Sequence, residues 1–101
     1  MAGALIVQVQ GQAPAMFTEA FTVGRCGSPR MICPLAVDDK FVSSPHARFF
    51  PEGGEWHVED LGSTNGTYVN GGWERIQQRH QLAKGDKIRI GRTVLTVVPV
   101  A

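Results

Sequence analysis

The sequence predicts an all-β fold, an antiparallel β-sandwich of roughly eight to eleven short strands. Apolar and polar residues alternate in Trp56-His57-Val58-Glu59 and in Lys87-Ile88-Arg89-Ile90, as half-buried antiparallel strands require. Twelve glycines and six prolines among 101 residues imply many tight turns. Because no segment carries a good helical apolar stripe, the core is expected to lie between two sheets.

About eight runs rich in Val, Ile, Phe, Thr or Trp predict the strands. They are Leu5 to Gln10, Phe21 to Arg25, Met31 to Val37, Ala47 to Phe50, Trp56 to Glu59, Thr67 to Val69, Lys87 to Ile90 and Val94 to Val98. The segment from Trp73 to Leu82 has helical propensity, but its apolar residues are spaced poorly for a helix, so loop and strand are expected. The aromatic residues expected in the core or at its margin are Phe49, Phe50, Trp56 and Trp73.

The composition limits the possible functions. Ten Lys plus Arg against nine Asp plus Glu give a net charge of +1, which argues against nucleic-acid binding and predicts that any anion site is local. The segment from Met1 to Val7 lacks a basic start and a long apolar run, so it predicts a first strand and no signal peptide or membrane insertion. Residues 1–101 are expected to form one domain.

The two cysteines, Cys26 and Cys33, are too few for a disulfide scaffold. No further Cys or pair of His lies at zinc-ligand spacing, so no metal and no other cofactor is predicted. A reduced, cytoplasmic protein is therefore expected. The two thiols could still face each other across a hairpin, at a separation that permits a disulfide bond.

Three polar segments lie between the predicted strands: Gly24-Arg25, Ser43-Ser44-Pro45-His46 and Gly62 to Gly66. Together they offer a guanidinium group, several hydroxyl groups, an amide and the backbone N–H groups of glycines. The planar fork of arginine can donate to two oxygens of one phosphate. These residue types predict a phosphate-binding site built from loops on a rigid scaffold.

With these motifs in this order and at this spacing, the chain resembles a forkhead-associated (FHA) domain, a phosphothreonine-binding β-sandwich. The family pattern has Gly-Arg, then Ser-x-x-His, then Asp-Leu-x-Ser-Thr-Asn-Gly-Thr-x-x-Asn-Gly. These elements stand here as Gly24-Arg25, Ser43 to His46 and Asp60 to Gly71. The segment from Leu82 to Gly91 is also similar to the family's Leu-x-x-Gly-Asp-x-Ile-x-Ile-Gly, and the resemblance covers residues 5 to 98.

The resemblance implies a set of residues that contact a phosphothreonine peptide, namely Arg25, Ser43, Ser44, Thr64 and Asn65. Arg25 and the two serines would bind the phosphate, and Asn65 would hold the peptide backbone beside the threonine. The chain departs from the family pattern at Ser44-Pro45, where Arg, Lys or Asn and then a basic or polar residue are common. Ser44 brings no charge and Pro45 no backbone N–H, although Arg30 could supply a cation.

A second set of residues is implied to support the site, namely Gly24, His46, Gly66 and Asn70. The two Asn-Gly pairs would then differ in role. The first shapes the recognition loop, and the second, Asn70-Gly71, reverses the chain in a turn. The partner implied by the resemblance is a phosphothreonine-containing protein, either a Ser/Thr kinase or its substrate.

Two alternative functions remain beside this one. An FHA-like domain could dock a partner protein without any phosphate. A hydrolase could use Ser43 or Ser63 as nucleophile, His46 or His57 as base, and Asp60 to orient the base. No Gly-x-Ser-x-Gly elbow is present, so no enzymatic activity is predicted.

Overall fold

The computed structural model describes residues 3–25 and 35–98. Within these residues the chain forms ten strands. They are β1 (Leu5–Val9), β2 (Ala15–Phe17), β3 (Phe21–Gly24), β4 (Leu35–Ala36), β5 (Ala47–Glu52), β6 (Glu55–Asp60), β7 (Thr67–Val69), β8 (His80–Gln81), β9 (Lys87–Ile90) and β10 (Thr93–Val98). No helix occurs in this part of the chain, and hence none there is long and apolar enough to cross a membrane.

The strands form two five-stranded sheets that make a sandwich. The first sheet has the order β2-β1-β10-β9-β7, and the second has the order β4-β3-β5-β6-β8. All pairs in the first sheet are antiparallel. The predicted antiparallel sandwich is confirmed, with one parallel pair, β3 and β4, in the second sheet. Residues 25–34 make this connection too long for a hairpin turn, and β4 runs in the same direction as β3.

The core lies between the two sheets and takes one face of each. Alternate residues of β1, β6 and β9 are buried, which confirms the period of two in their sequences. Phe49 of β5 is fully buried and stacks on Phe21 of β3, with ring centroids 5.0 Å apart. This rigid, apolar interior fixes the strand ends from which the polar loops emerge.

Most predicted strands are confirmed, two of them to the residue. Thr67 to Val69 and Lys87 to Ile90 match β7 and β9. The short strand β2 was missed. The segment from Trp73 to Leu82, for which loop and strand were expected, contains the short strand β8. Most of the predicted strand from Met31 to Val37 lies outside the described residues, and so do Arg30 and both cysteines, Cys26 and Cys33.

The aromatic residues confirm the predicted core with one exception. Phe49, Phe50 and Trp56 are buried. Trp73, expected in the core or at its margin, is 96% exposed, so that expectation is wrong. From the same irregular segment it is Ile76 that packs against the core, and its backbone N–H donates to Thr67 O over 2.9 Å. The chain around Trp73 has no regular period that would turn its side chain inward.

The second Asn-Gly pair forms the turn that the sequence predicts. Asn70 and Gly71 have φ angles of 51° and 74°, the left-handed values that a tight turn after β7 requires. The Asn70 side chain also ties this turn to the start of β9. Its Nδ2 donates to Asp86 Oδ1 over 3.0 Å, and its Oδ1 accepts from the Lys87 backbone N–H over 2.9 Å.

Candidate functional site

The three polar segments of the sequence meet at one end of the sandwich. Arg25 follows β3, Ser43 to His46 precede β5, and Gly62 to Gly66 connect β6 to β7. The backbone N–H of Arg25 donates to Ser43 O over 3.1 Å. The Ser43 hydroxyl in turn accepts from the backbone N–H of Thr64, also over 3.1 Å. Ser43 therefore joins the other two segments.

Gly24 is required by close packing of backbone against backbone. A Cβ atom at this position would lie 2.8 Å from Ser43 O and 3.0 Å from the backbone nitrogen of His46. The His46 N–H also donates to Val23 O over 2.9 Å, which draws the two chain segments together. Any side chain at residue 24 would push the Ser43 segment away from the end of β3.

His46 links the Ser43 segment to the recognition loop, residues 63–66. Its fully buried ring accepts the Ser43 backbone N–H at Nδ1 over 3.0 Å, and Nε2 lies 2.8 Å from Gly66 O. An N–H group can only donate and a carbonyl oxygen can only accept, so the ring is neutral with its proton on Nε2. Burial lowers the pKa of His46, which agrees with this neutral form.

Asp60 shapes the recognition loop from behind. Its carboxylate accepts the backbone N–H of Ser63 over 2.9 Å, the Thr67 hydroxyl over 2.8 Å and the Ser63 hydroxyl. The Ser63 hydroxyl oxygen accepts the backbone N–H of Gly66 over 2.9 Å. This bond connects the first and the last residue of the recognition loop. Burial alone would raise the pKa of Asp60, but the hydrogen bonds from Ser63 and Thr67 hold it below its ordinary value. The loop is thus built on a partly buried, ionised carboxylate.

The exposed side chains of Arg25 and Asn65 both reach the segment that precedes Ser43. Asn65 Nδ2 donates to Phe41 O over 2.8 Å, and Arg25 Nη1 lies 3.4 Å from Lys40 O.

Asp39 fixes this segment, because its carboxylate accepts the Phe41 N–H over 2.9 Å and the Arg92 N–H over 2.7 Å. The Arg92 contact comes from the turn between β9 and β10, so both sheets contribute to the site.

A pocket with charged walls lies beside Arg25 and Asn65. It has a volume of about 340 Å³ and is lined by Asp38, Asp39, Lys40, Phe41, Arg92 and Thr93. Two cations face the Phe41 ring, with Lys40 Nζ 5.4 Å and the Arg92 guanidinium carbon 4.5 Å from its centroid. The Asp39 carboxylate accepts internal hydrogen bonds, whereas Asp38, Lys40 and Arg92 are exposed, so the pocket presents charges of both signs.

The sequence of the chain matches one protein family model, that of the FHA domain, over residues 21–91. The chain belongs to the FHA domain family. This confirms the resemblance and the sandwich fold that it implied. The matched residues run from the start of β3 to the end of β9 and include all three segments of the site.

Several known proteins contain a similar FHA domain. FhaB of Mycolicibacterium smegmatis, an FHA domain-containing protein, is 43% identical over 65 residues, which are 64% of this chain and 41% of that protein. The glycogen accumulation regulator GarA of the same organism is 50% identical over 58 residues, which are 57% of this chain and 35% of that protein. The chain therefore spans less than half the length of these relatives.

A solved structure shows the same fold over nearly the whole chain. It comes from a structural and functional analysis of phosphothreonine-dependent FHA domain interactions. The two chains are 27% identical and superpose with a TM-score of 0.81, over 98% of this chain and 99% of the other.

The FHA domain brings together the residues that the resemblance singled out. Ser43 is half-buried at the centre of the site, and the residues exposed around it are Arg25, Ser44, Thr64 and Asn65. Sequence reasoning missed Asp39, Phe41, Arg92 and Arg75 as parts of the site. Their contacts join segments far apart in the chain, and no local pattern in the sequence indicates them. Asp60 opens the motif from Asp60 to Gly71, but it was given a role only as a member of a hydrolase triad.

The hydrogen bonds of the FHA domain do not form that triad. The Ser63 hydroxyl donates to Asp60, and both ring nitrogens of His46 are bonded to backbone groups. His57 Nε2 lies 3.2 Å from Glu52 O, near the far end of β5. In this arrangement His46 is not available to take a proton from Ser43 or Ser63.

The free energy of unfolding should fall as the pH drops below about 6.5, the ordinary pKa of histidine. Above that pH, His46 is neutral in the folded and the unfolded chain. Below it the unfolded chain takes up the proton first, because burial lowers the pKa of His46 in the folded domain. This difference favours unfolding by up to about 1.4 kcal/mol per pH unit, until the folded pKa is reached.

Urea denaturation at about pH 7.5 and about pH 5.5 measures this change. A His46→Gln variant lacks the titrating ring and should lose less stability between the two pH values than the wild type does. An equal loss in both proteins would show that other groups cause the decline.

Proposed function

We propose that this FHA domain binds a phosphothreonine-containing segment of a partner protein in Ser/Thr kinase signalling. The observation that carries the proposal is the cluster of Arg25, Ser43, Ser44, Thr64 and Asn65 on one surface, supported from behind by His46 and Asp60. Membership of the FHA family and the likeness to a structure from work on phosphothreonine-dependent interactions support it.

The chemistry of this surface suits a phosphate group. Arg25 is exposed and can donate two parallel hydrogen bonds to phosphate oxygens. A serine hydroxyl that accepts at its oxygen, as Ser43 does from Thr64, can donate its own proton to a third oxygen. Ser44 is exposed one residue further along and adds a hydroxyl group. We propose that these three residues hold the phosphate.

Thr64 and Asn65 are proposed to contact the rest of the phosphothreonine. Both are exposed on the recognition loop, next to Ser43. One N–H of the Asn65 side-chain amide donates to Phe41 O. The other N–H and the amide oxygen can form hydrogen bonds with a peptide backbone. The γ-methyl group of the threonine would then lie beside this loop, which would distinguish phosphothreonine from phosphoserine.

The proposal also includes a non-enzymatic role and a cytoplasmic location. The first is supported by the hydrogen bonds that occupy both ring nitrogens of His46, so that His46 cannot act as a base for Ser43 or Ser63. The second is supported by the presence of only two cysteines in the sequence.

Binding should depend first on the phosphate and then on the threonine methyl group. The site is made of donors, and a phosphate brings a charge of about −1.5 to −2 with three strong acceptor oxygens. One buried methyl group is worth about 0.8 kcal/mol by transfer and up to about 3 kcal/mol in a well-shaped pocket, so phosphothreonine should bind roughly fourfold to 150-fold more tightly than phosphoserine. Arg25→Ala should remove most of this binding, and Arg25→Lys should restore only part of it.

Fluorescence anisotropy with three labelled peptides, identical except for phosphothreonine, phosphoserine or threonine, measures both preferences. Arg79→Ala is a suitable control, because Arg79 pairs with Glu52 over 2.5 Å at the far end of β5. Equal binding of the threonine and phosphothreonine peptides would contradict the proposal and favour phosphate-independent docking.

The two exposed cations of the pocket beside Arg25 should favour an acidic residue close to the phosphothreonine. Lys40 and Arg92 are exposed beside Arg25, and a carboxylate on the bound peptide would complement them. Exposed charge pairs contribute about 0–1 kcal/mol, so the gain in affinity should be at most about fivefold. An oriented phosphothreonine peptide library should show enrichment of Asp or Glu at a flanking position, and Arg92→Gln should weaken it. If the wild type and Arg92→Gln select the same flanking residues, the pocket does not contribute to the peptide selectivity.

A further inference from the structure

Arg75 reaches the recognition loop from a part of the chain outside every sequence motif of the site. It lies in the irregular segment between β7 and β8. Its Nη2 donates to Ser63 O over 2.5 Å and lies 3.4 Å from the Ser63 hydroxyl oxygen. The same nitrogen lies 3.7 Å from Asp60 Oδ2. The guanidinium group therefore bonds the residue that opens the recognition loop and faces the carboxylate beneath it.

The stem of Arg75 packs against the residue that closes the same loop. Gly66 has a φ of +84°, and a Cβ there would lie 2.8 Å from the Cβ of Arg75 and 3.0 Å from its Nε. The carbonyl oxygen of Gly66 meanwhile contacts His46 Nε2 over 2.8 Å. Arg75 and His46 thus both hold the recognition loop at Gly66, one by packing and one by a hydrogen bond.

The backbone next to Arg75 is itself fixed. The N–H of Ile76 donates to Thr67 O over 2.9 Å, and the Ile76 side chain packs against the core. The Arg75 side chain is 39% exposed, so its contact with the loop is partly shielded from water. A side chain held at its base in this way loses less conformational freedom when it bonds the loop than a free surface arginine would.

We propose that Arg75 is a positioning residue for phosphothreonine binding. It holds Ser63 and Gly66, the two ends of the recognition loop, and thereby sets where Thr64 and Asn65 stand beside the peptide. The Arg75 guanidinium group lies near the Asp60 carboxylate and donates a hydrogen bond to Ser63. Arg75 therefore acts through the loop and does not itself hold the phosphate. The inference rests on the proposed function of the site.

Arg75→Ala should lower the affinity for a library-selected phosphothreonine peptide about tenfold, because binding must then order a loop that Arg75 holds in advance. Arg75→Lys keeps the charge but loses the planar fork, so its affinity should be intermediate. Arg79→Ala is the matched control, since this arginine lies in the same segment and pairs with Glu52. Its affinity should equal that of the wild type. Thermal melting identifies any variant that fails to fold. If Arg75→Ala does not fold, the affinity of Arg75→Lys tests the inference instead.

Two readouts separate positioning from direct contact with the phosphate. The ratio of affinities at about pH 7.5 and about pH 5.5 follows the phosphate charge, whose pKa is about 6. Arg75→Ala should keep this ratio, and Arg25→Ala should reduce it. Amide hydrogen exchange of Gly66 in the free domain should also become faster in Arg75→Ala.

Wild-type affinity in both Arg75 variants would overturn the inference. A pH ratio reduced as in Arg25→Ala would overturn it too, because Arg75 would then contact the phosphate. In both of these cases the proposed function would stand. A wild-type domain that binds the phosphorylated and unphosphorylated peptides equally would overturn the proposed function, and the inference with it.

Discussion

The site of this FHA domain depends on one buried imidazole. His46 accepts a backbone N–H of the Ser43 segment at one ring nitrogen and bonds the carbonyl oxygen of Gly66 at the other. The separation of its two nitrogens thus sets the distance between the segment proposed to hold the phosphate and the loop proposed to hold the threonine. The His46 ring is fully buried, so breaking either bond would leave a ring nitrogen unpaired away from water.

The other parts of the site act on the same two segments. Gly24 lets the end of β3 approach the Ser43 segment, since any Cβ there would meet Ser43 O at 2.8 Å. Asp60 folds the recognition loop over its carboxylate, and Arg75 contacts that loop at Ser63 and Gly66. These groups set the shape of the site, which leaves the exposed side chains of Arg25, Thr64 and Asn65 to contact a ligand. Rigid support of this kind reduces the conformational entropy that the site loses on binding a ligand.

Much of the fold and part of the site could be predicted from the sequence. Alternation with a period of two identifies strands such as β6 and β9, because the pleat and the burial of one face impose that pattern locally. The three motif segments were predicted to form one site, and they meet. The two- and three-residue strands β8 and β2 are too short for a period to be visible. The exposure of Trp73 and the contacts of Arg75 and Arg92 depend on how loops pack in three dimensions. No local sequence pattern predicts that packing.

The tautomer of His46 shows whether one neutral imidazole holds the two segments of the site together. Nitrogen chemical shifts of the histidine rings, measured by NMR at about pH 7, distinguish a protonated ring nitrogen from an unprotonated one. The account predicts a neutral His46 ring with the proton on Nε2, in the free domain and also with a phosphothreonine peptide bound, since both ring contacts lie behind the binding surface. A proton on Nδ1, or a charged ring in either state, would contradict the account, because Nδ1 could then not accept the Ser43 N–H that holds the two segments together.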